Sequence, residues 1–142
     1  MQKILFVCTG NTCRSPMAAG IYNALAREKG LAPADSAGIY ALPGDPVTAN
    51  AVTAAAEYGA DIAAHRAQPV TAALLSQYDV IVCMTASHLA ALTAIFPDCA
   101  GKCRLLDPDG IPDPYGGDLS LYRRTAAAIF RAVKVLIEEQ NT

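Results

Sequence analysis

A cysteine and an arginine that could together attack a phosphoryl group lie in one short segment near the N-terminus. The segment is CTGNTCRSP, residues 8–16, in which five residues separate Cys8 from Arg14. An apolar run at 3–7 precedes it and a helical pattern follows it. Free backbone N–H groups and the macrodipole make the start of a helix a site for phosphate or a similar oxyanion. The segment therefore predicts an anion pocket with a nucleophile at its base.

The other residue types in the segment suit a phosphate-binding loop. Gly10 can adopt backbone conformations closed to other residues, so that successive N–H groups point inward. Asn11 tolerates left-handed backbone angles. Ser15 followed by Pro16 predicts a helix cap and the first helical residue. We assign phosphate binding to Thr9, Gly10, Asn11, Thr12, Cys13, Arg14 and Ser15.

Arg14 and Cys8 carry the chemistry of this hypothesis. The guanidinium of Arg14 can grip two phosphate oxygens at once. In the positive field of the loop we expect the thiolate of Cys8 to be favoured, as in reactive cysteines at helix N-termini. The simpler alternative is a small core cysteine beside an ordinary turn. The strand before the segment and the helix after it favour the functional interpretation.

Composition indicates a compact globular chain. The 142 residues suit one domain over 1–142, and 53% hydrophobic with 17% charged residues argues against disorder. No apolar stretch approaches the ~20 residues that cross a bilayer, so we expect no membrane partner. A net charge of −2 gives no electrostatic case for nucleic acid. The five cysteines, with no room for a signal peptide before the first strand, lead us to expect a cytoplasmic setting. We also expect a monomer.

Strand and helix patterns alternate along the chain. Strands are expected at 3–7, 34–37, 79–84 and 102–106, and helices at 16–29, 45–58, 71–77, 87–95 and 119–139. This order predicts an α/β fold in three layers, a doubly wound four-stranded parallel sheet with helices on both faces. Ligands of such sheets bind beyond the carboxyl ends of the strands. The phosphate loop follows strand 1, at that edge.

A second candidate segment is DPYGGD, residues 113–118. Phosphoryl transfer to Cys8 needs an acid for the departing group and later a base for water, and one carboxyl group can do both. Asp113 is our candidate, although a Pro/Gly-rich surface turn is the plainer alternative. Asp107, Asp109 and Asp118 are rival carboxylates that stay open at this point.

Three motifs resemble the low-molecular-weight protein tyrosine phosphatase family, in order and over essentially the whole chain. They are VCTGNTCRSPMA at 7–18, Ser36-Ala37-Gly38, and DPYGG at 113–117. The resemblance implies a double displacement through a phosphocysteine, with no metal and no cofactor, on phosphorylated protein substrates. It implies Cys8 as nucleophile, Arg14 as phosphate clamp and Asp113 as general acid and then base.

The resemblance also implies supporting roles. Ser15 would hydrogen-bond the Cys8 thiolate, and Asn11 would hold the loop through Ser36 and His65. Tyr115 would form part of the wall that receives the substrate side chain. Relatives often carry Ala-Glu-Ala where this chain has Ala18-Ala19-Gly20, a departure that we expect to leave the chemistry unaffected.

Thr12 bears on the substrate. Members of the family that act on phosphotyrosine more often carry an aliphatic residue there, whereas threonine resembles the bacterial branch that dephosphorylates protein phosphoarginine. A β-branched hydroxyl narrows the pocket and offers a polar contact to a planar guanidino group. We therefore favour phosphoarginine over phosphotyrosine, with Thr12 and Tyr115 as substrate-binding residues.

The remaining cysteines suggest redox regulation and one rival function. A sulfenic acid at Cys8 could be trapped by Cys13 as a reversible disulfide, although Cys13 could equally be a small filler.

Arsenate reductases share the fold but need two further cysteines after the third strand, and here none follows Cys83 in 85–92. Zinc binding by Cys99 and Cys103 lacks histidines at ligand spacing. A catalytically silent phosphate-binding module is the third alternative, which the combination of Cys8, Arg14 and an Asp-Pro loop disfavours.

Overall fold

The centre of the molecule is a four-stranded parallel sheet in the order β2-β1-β3-β4. The computed structural model describes residues 2–140. The strands are β1 Ile4–Cys8, β2 Asp35–Gly38, β3 Val80–Cys83 and β4 Cys103–Leu105. The predicted parallel α/β fold is confirmed, and each strand lies within two residues of its expected bounds.

Two layers of helices cover the sheet. One apolar core joins it to α1 Arg14–Arg27, α2 Ala49–Ala56 and α5 Leu119–Gln140. The second core lies with α3 Ala72–Leu75, α4 Ala86–Ile95 and the 3-10 helix Pro97–Lys102. Successive side chains of a strand point to opposite faces. Accordingly, Phe6 belongs to the first core and Leu5 to the second.

The central strand places the loop that follows it. All five residues of β1 are buried, as expected for a parallel strand covered on both faces. Cys8 lies opposite Gly38 of β2, and Val7 lies opposite Cys83 of β3. The chain winds to β2 on one side of β1 and to β3 on the other, which opens a crevice at the carboxyl end of β1. The segment CTGNTCRSP enters this crevice.

Two predicted helix starts are wrong. Helix α1 begins at Arg14, and the buried Ser15 makes no cap hydrogen bond because its hydroxyl contacts Cys8 instead. Helix α2 begins at Ala49 rather than at Asp45, because Pro46 forms an isolated antiparallel bridge with Arg66. In both places a tertiary contact overrides the local serine-proline or aspartate-proline signal.

Within residues 2–140, no helix combines the length and the apolarity that crossing a bilayer requires.

Candidate active site

A cleft of about 220 Å³ lies at the carboxyl end of β1. It is lined by the loop after β1 and by two residues of the segment before α5: Cys8, Thr9, Gly10, Asn11, Thr12, Cys13, Arg14, Asp113 and Tyr115. The structure thus brings the predicted nucleophile, clamp and acid into one cleft, although the acid lies about a hundred residues after the other two in sequence.

The sulfur of Cys8 is surrounded by hydrogen-bond donors. The backbone N–H of Asn11 donates to Sγ at 3.3 Å, and the Ser15 hydroxyl lies 2.9 Å from Sγ. Ser15 Oγ already accepts a hydrogen bond from Asn11 Nδ2 at 2.8 Å. The hydroxyl proton of Ser15 is therefore free to point at the sulfur. The sulfur therefore accepts hydrogen bonds from two groups of the loop.

Asn11 holds the loop in shape. It is fully buried and has φ 58, the left-handed conformation expected for it. Its Nδ2 donates to Ser15 and to Ser36, and its Oδ1 accepts from His65 Nε2 at 3.0 Å and from the backbone N–H of Gln68 at 3.0 Å. A buried amide with every group paired rigidifies its surroundings. Ser36 and His65 therefore contact the loop as the resemblance implied.

His65 acts as a neutral donor in this network. Burial lowers its pKa, and the nearby carboxylate of Asp35 opposes that shift in part. Because an amide oxygen only accepts, the His65 proton lies on Nε2 where it faces Asn11 Oδ1. The sequence interpretation missed Gln68, whose contribution is a backbone N–H and leaves no signal in a motif.

Gly10 does not have the role predicted for it. Its φ is not positive, and an added Cβ would meet only Thr12 Oγ1, at an ordinary 3.7 Å. Gly38 is the glycine that the loop requires. A Cβ there would lie 2.5 Å from Thr9 O and 3.0 Å from Asn11 N, so that any side chain would displace the loop.

Arg14 joins the loop to the segment that carries the acid. The guanidinium is 5% exposed, and its NH1 donates to the carbonyl of Ile111 at 2.9 Å. Its NH2 lies 3.6 Å from Asp113 Oδ2. Ile111 is itself fixed by its N–H, which donates to Met84 O at 2.8 Å. This backbone anchor for the clamp left no trace in the sequence pattern.

Asp113 is separated from its rivals by position. Its side chain is about half exposed and faces the cleft, and its Oδ1 accepts the N–H of Tyr115 at 3.0 Å. Asp118 instead accepts the N–H of Leu121 in the first turn of α5. Asp107 and Asp109 are tied to each other by a hydrogen bond. Among these four carboxylates, only that of Asp113 lines the cleft.

Cys13, Thr12 and Tyr115 complete the lining. Burial raises the pKa of Cys13, whose Sγ lies 3.8 Å from both Thr12 Oγ1 and Tyr122 Oη. Tyr115 is 71% exposed at the mouth of the cleft. The Cys8–Cys13 disulfide stays a prediction, since both thiols are free here.

The structure adds a histidine, His88, to which the sequence analysis gave no role in the site. His88 is buried and its Nε2 lies 2.7 Å from Thr9 Oγ1, in the wall of the cleft. It occupies the first turn of α4, after the N-cap Thr85. No motif marks it, because its position depends on where α4 packs.

The remaining cysteines lie in the second core. Cys103 Sγ and Cys99 Sγ are 3.3 Å apart, and Cys83 belongs to the same apolar cluster. Over the part of the chain that the structure describes, no group of three histidines, cysteines or carboxylates could hold a metal ion.

Comparisons with known proteins show the family of this chain. The family model described as low molecular weight phosphotyrosine protein phosphatase matches residues 3–142. The chain is 35% identical over 135 residues to the low molecular weight protein-tyrosine-phosphatase Etp of Escherichia coli, covering 92% of this chain and 89% of that protein. It is 32% identical over 145 residues to a protein-arginine-phosphatase of Bacillus subtilis, covering 97% and 96%.

A solved structure extends the likeness to three dimensions. It is the YwlE arginine phosphatase as a mutant with a phosphorylated active-site serine, which matches with a TM-score of 0.94 at 30% identity. The match covers 99% of this chain and 96% of that one. The chain therefore belongs to the low molecular weight phosphotyrosine protein phosphatase family.

Proposed function

We propose that this protein hydrolyses phosphoarginine on proteins through a phosphocysteine at Cys8, with phosphotyrosine as the alternative substrate. Membership of the family makes the chain a cysteine-dependent protein phosphatase. The observation that carries the mechanism is the set of donors on the Cys8 sulfur, from Asn11 and Ser15. These donors stabilise a thiolate below the anion site at the start of α1.

In the first step, the Cys8 thiolate attacks phosphorus and forms an S–P bond. The bond from phosphorus to the guanidino nitrogen breaks, or the bond to the phenolic oxygen in phosphotyrosine. The carboxyl group of Asp113 gives its proton to that leaving atom. Arg14 binds two phosphoryl oxygens and stabilises the charge that develops on them. Its anchor on Ile111 O keeps the guanidinium beside the acid.

In the second step, water replaces the sulfur. The Asp113 carboxylate takes a proton from water, and the resulting nucleophile attacks phosphorus. The S–P bond breaks, inorganic phosphate leaves, and the Cys8 thiolate is restored. The carboxyl group thus returns to its starting state, and its acid–base assistance is worth about 10²–10⁴ in rate.

Thr12 supports phosphoarginine. It lies in the lining of the cleft, with its hydroxyl 3.8 Å from Cys13 Sγ. A hydroxyl can accept a guanidino N–H, whereas an aromatic ring gains nothing from it. Tyr115 at the mouth offers a ring face on which a planar guanidino group can stack.

The mechanism is tested by rapid acid quench during turnover, followed by mass spectrometry. We expect a phosphoryl group on Cys8 in the wild type, and more of it in Asp113→Asn, which lacks the base for the second step. Full activity without any phosphorylated enzyme would contradict the proposal. The matched control is Asp118→Asn, which removes a carboxylate at the start of α5 instead.

The substrate preference is tested by rates on phosphoarginine and phosphotyrosine peptides of one sequence. We expect the ratio of kcat/KM values to fall about three- to tenfold in Thr12→Ile and Thr12→Val, the effect of one hydrogen bond. Thr12→Ser keeps the hydroxyl and should keep the preference. An unchanged ratio in Thr12→Val would contradict the argument from this residue.

A further inference from the structure

His88 is a buried polar residue that the proposed reaction does not use. Its ring is 7% exposed and lies between the loop after β1 and the first turn of α4. Nε2 lies 2.7 Å from Thr9 Oγ1, and Nδ1 lies 3.0 Å from Thr85 Oγ1. The imidazole thus bridges two hydroxyl groups on two different elements, one of which lines the cleft.

The charge state of His88 is fixed by its surroundings. Burial, and to a smaller extent the positive charge of Arg14, lower its pKa to about 4, although the carboxylate of Asp113 opposes part of the shift. The ring is therefore neutral at neutral pH. A neutral imidazole has one donor nitrogen and one acceptor nitrogen, so it serves Thr9 in one role and Thr85 in the other.

The contacts of Thr85 suggest how these roles divide. Its hydroxyl oxygen accepts the backbone N–H of His88 at 3.2 Å and lies 2.9 Å from Ser87 Oγ. If Ser87 donates to that oxygen, the one proton of Thr85 points at Nδ1 of His88. The His88 proton then lies on Nε2 and is donated to Thr9.

We propose that His88 is a positioning residue that donates its Nε2–H to Thr9 and so fixes that wall of the active-site cleft. The inference rests on the proposed function of the cleft. Asn11 holds the side of the loop that faces β2, through Ser36. His88 holds the side that faces α4, through Thr9, and the Asp113 carboxylate is near enough to act on its ring. With its oxygen accepting from His88, Thr9 keeps its own hydroxyl proton for an oxygen of the bound phosphoryl group.

A pair of amide variants separates this role from simple packing. The amide nitrogen of His88→Gln reaches as far as Nε2 and can donate to Thr9. The amide of His88→Asn ends where Nδ1 lies and can contact only Thr85. We expect kcat/KM for para-nitrophenyl phosphate to fall about ten- to a hundredfold in His88→Asn, since a small misplacement of a reacting group costs this much. For His88→Gln, kcat/KM should stay within about threefold of the wild-type value, a difference that corresponds to one weak hydrogen bond.

Binding of inorganic phosphate gives a readout that needs no turnover. We expect its dissociation constant to rise in His88→Asn and not in His88→Gln, so the positioning role is tested even if the phosphocysteine is never observed. Thr93→Val is the matched control and should leave the dissociation constant unchanged, because the Thr93 hydroxyl lies on the same helix but donates to Leu89 O and Ala90 O. Thr9→Val should remove the acceptor, and His88→Asn should cost nothing more in that background.

Nitrogen-15 spectra of the His88 ring in the wild type test the proton position directly. We expect the proton on Nε2 and an unprotonated Nδ1. A proton on Nδ1, equal losses in His88→Gln and His88→Asn, or His88→Asn within twofold of wild type would each overturn the proposal. Because the spectra use the unmodified protein, the test survives a variant that fails to fold.

Discussion

The two faces of the sheet each carry a group of cysteines, and these groups differ in what surrounds the sulfur. The loop thiols, Cys8 and Cys13, belong to the core under α1 and α5. The core thiols, Cys83, Cys99 and Cys103, lie with the core under α3 and α4. Both groups are largely buried, so burial alone does not distinguish them.

The direction of the hydrogen bonds distinguishes Cys8 from Cys103. Cys8 Sγ receives the N–H of Asn11 and faces the proton of Ser15. Cys103 instead donates its own proton, to Cys99 O at 3.1 Å and to Cys99 Sγ. Burial raises the pKa of Cys83 and Cys103 to about 12. A sulfur among donors is therefore suited to be a nucleophile, and a sulfur that must donate is held as a thiol.

Serine substitutions in the two groups should have opposite consequences for turnover. Cys8→Ser should lower kcat/KM for para-nitrophenyl phosphate about 10⁴-fold or more, as loss of a covalent nucleophile does elsewhere. Cys103→Ser keeps a donor in place and should stay within twofold of wild type. Steady-state kinetics of both variants measure the contrast. A comparable loss in Cys103→Ser would end the distinction drawn between the two groups.

The donors around the loop thiols should also carry stability. Asn11→Ala leaves Ser36, the Gln68 N–H and His65 without their buried partner, and puts alanine at a φ of 58. We expect a loss of about 2–4 kcal/mol in the free energy of unfolding, measured in urea. Asn50→Ala is the control, since Asn50 makes a single 3.5 Å bond to Gly117 O. Equal losses in both variants would contradict a bracing role for Asn11.

The histidines that contact the active-site loop and the core thiols should change the stability of the protein at opposite ends of the pH scale. The folded-state pKa of His88, about 4, lies below its unfolded value, so stability is present above about pH 6.5 and is lost as pH falls toward 4. The loss should reach about 2–3 kcal/mol. His65 shifts in the same direction. Urea unfolding at several pH values should show that the free energy of unfolding falls less steeply with decreasing pH in His88→Gln than in the wild type. The same steepness in both would contradict this effect of His88.

The core thiols should lose stability at alkaline pH instead, and should be slow to alkylate. Their raised pKa values favour the folded state below about pH 9, and that contribution disappears as pH rises toward 12. At pH 8, iodoacetamide should modify Cys103 about ten- to a hundredfold more slowly than in the unfolded chain, because the rarer thiolate is only partly offset by its greater nucleophilicity. Peptide mapping by mass spectrometry measures both rates. Equal rates would mean that the folded environment does not protect this thiol.

The sequence carried the loop and the sheet because their signals are local. The apolar run of β1 and the segment CTGNTCRSP needed only neighbours along the chain to be predicted, whereas Asp113 was singled out from its rival carboxylates by the family resemblance. The buried runs also placed β3 within one or two residues. Such features depend on hydrophobicity and on residue type, which a single sequence displays.

The errors occur where distant segments decide the local structure. Pro46 does not begin a helix because it bridges Arg66. The error at Ser15 is the exception, since its hydroxyl contacts Cys8 within the same segment. His88 and the anchor at Ile111 O depend on how α4 and the acid segment pack against the loop. The closeness of Cys99 and Cys103 likewise comes from the 3-10 helix Pro97–Lys102, which contains Cys99 and ends directly before Cys103. None of these pairings leaves a pattern in composition or spacing.

Gly20, which stands where relatives often carry alanine, is required by the packing of α1. A Cβ at this point of α1 would lie 2.5 Å from Ile62 Cγ2 and 3.2 Å from Ala60 Cβ. Ile62 O in turn accepts the N–H of His65. Replacing a mid-helix glycine with alanine ordinarily stabilises a protein by about 0.5–1 kcal/mol. Here Gly20→Ala would displace Ile62 from α1 and, with it, move the His65 imidazole away from Asn11. A conventional stabilising substitution outside the cleft would therefore slow hydrolysis by disturbing the support of the loop.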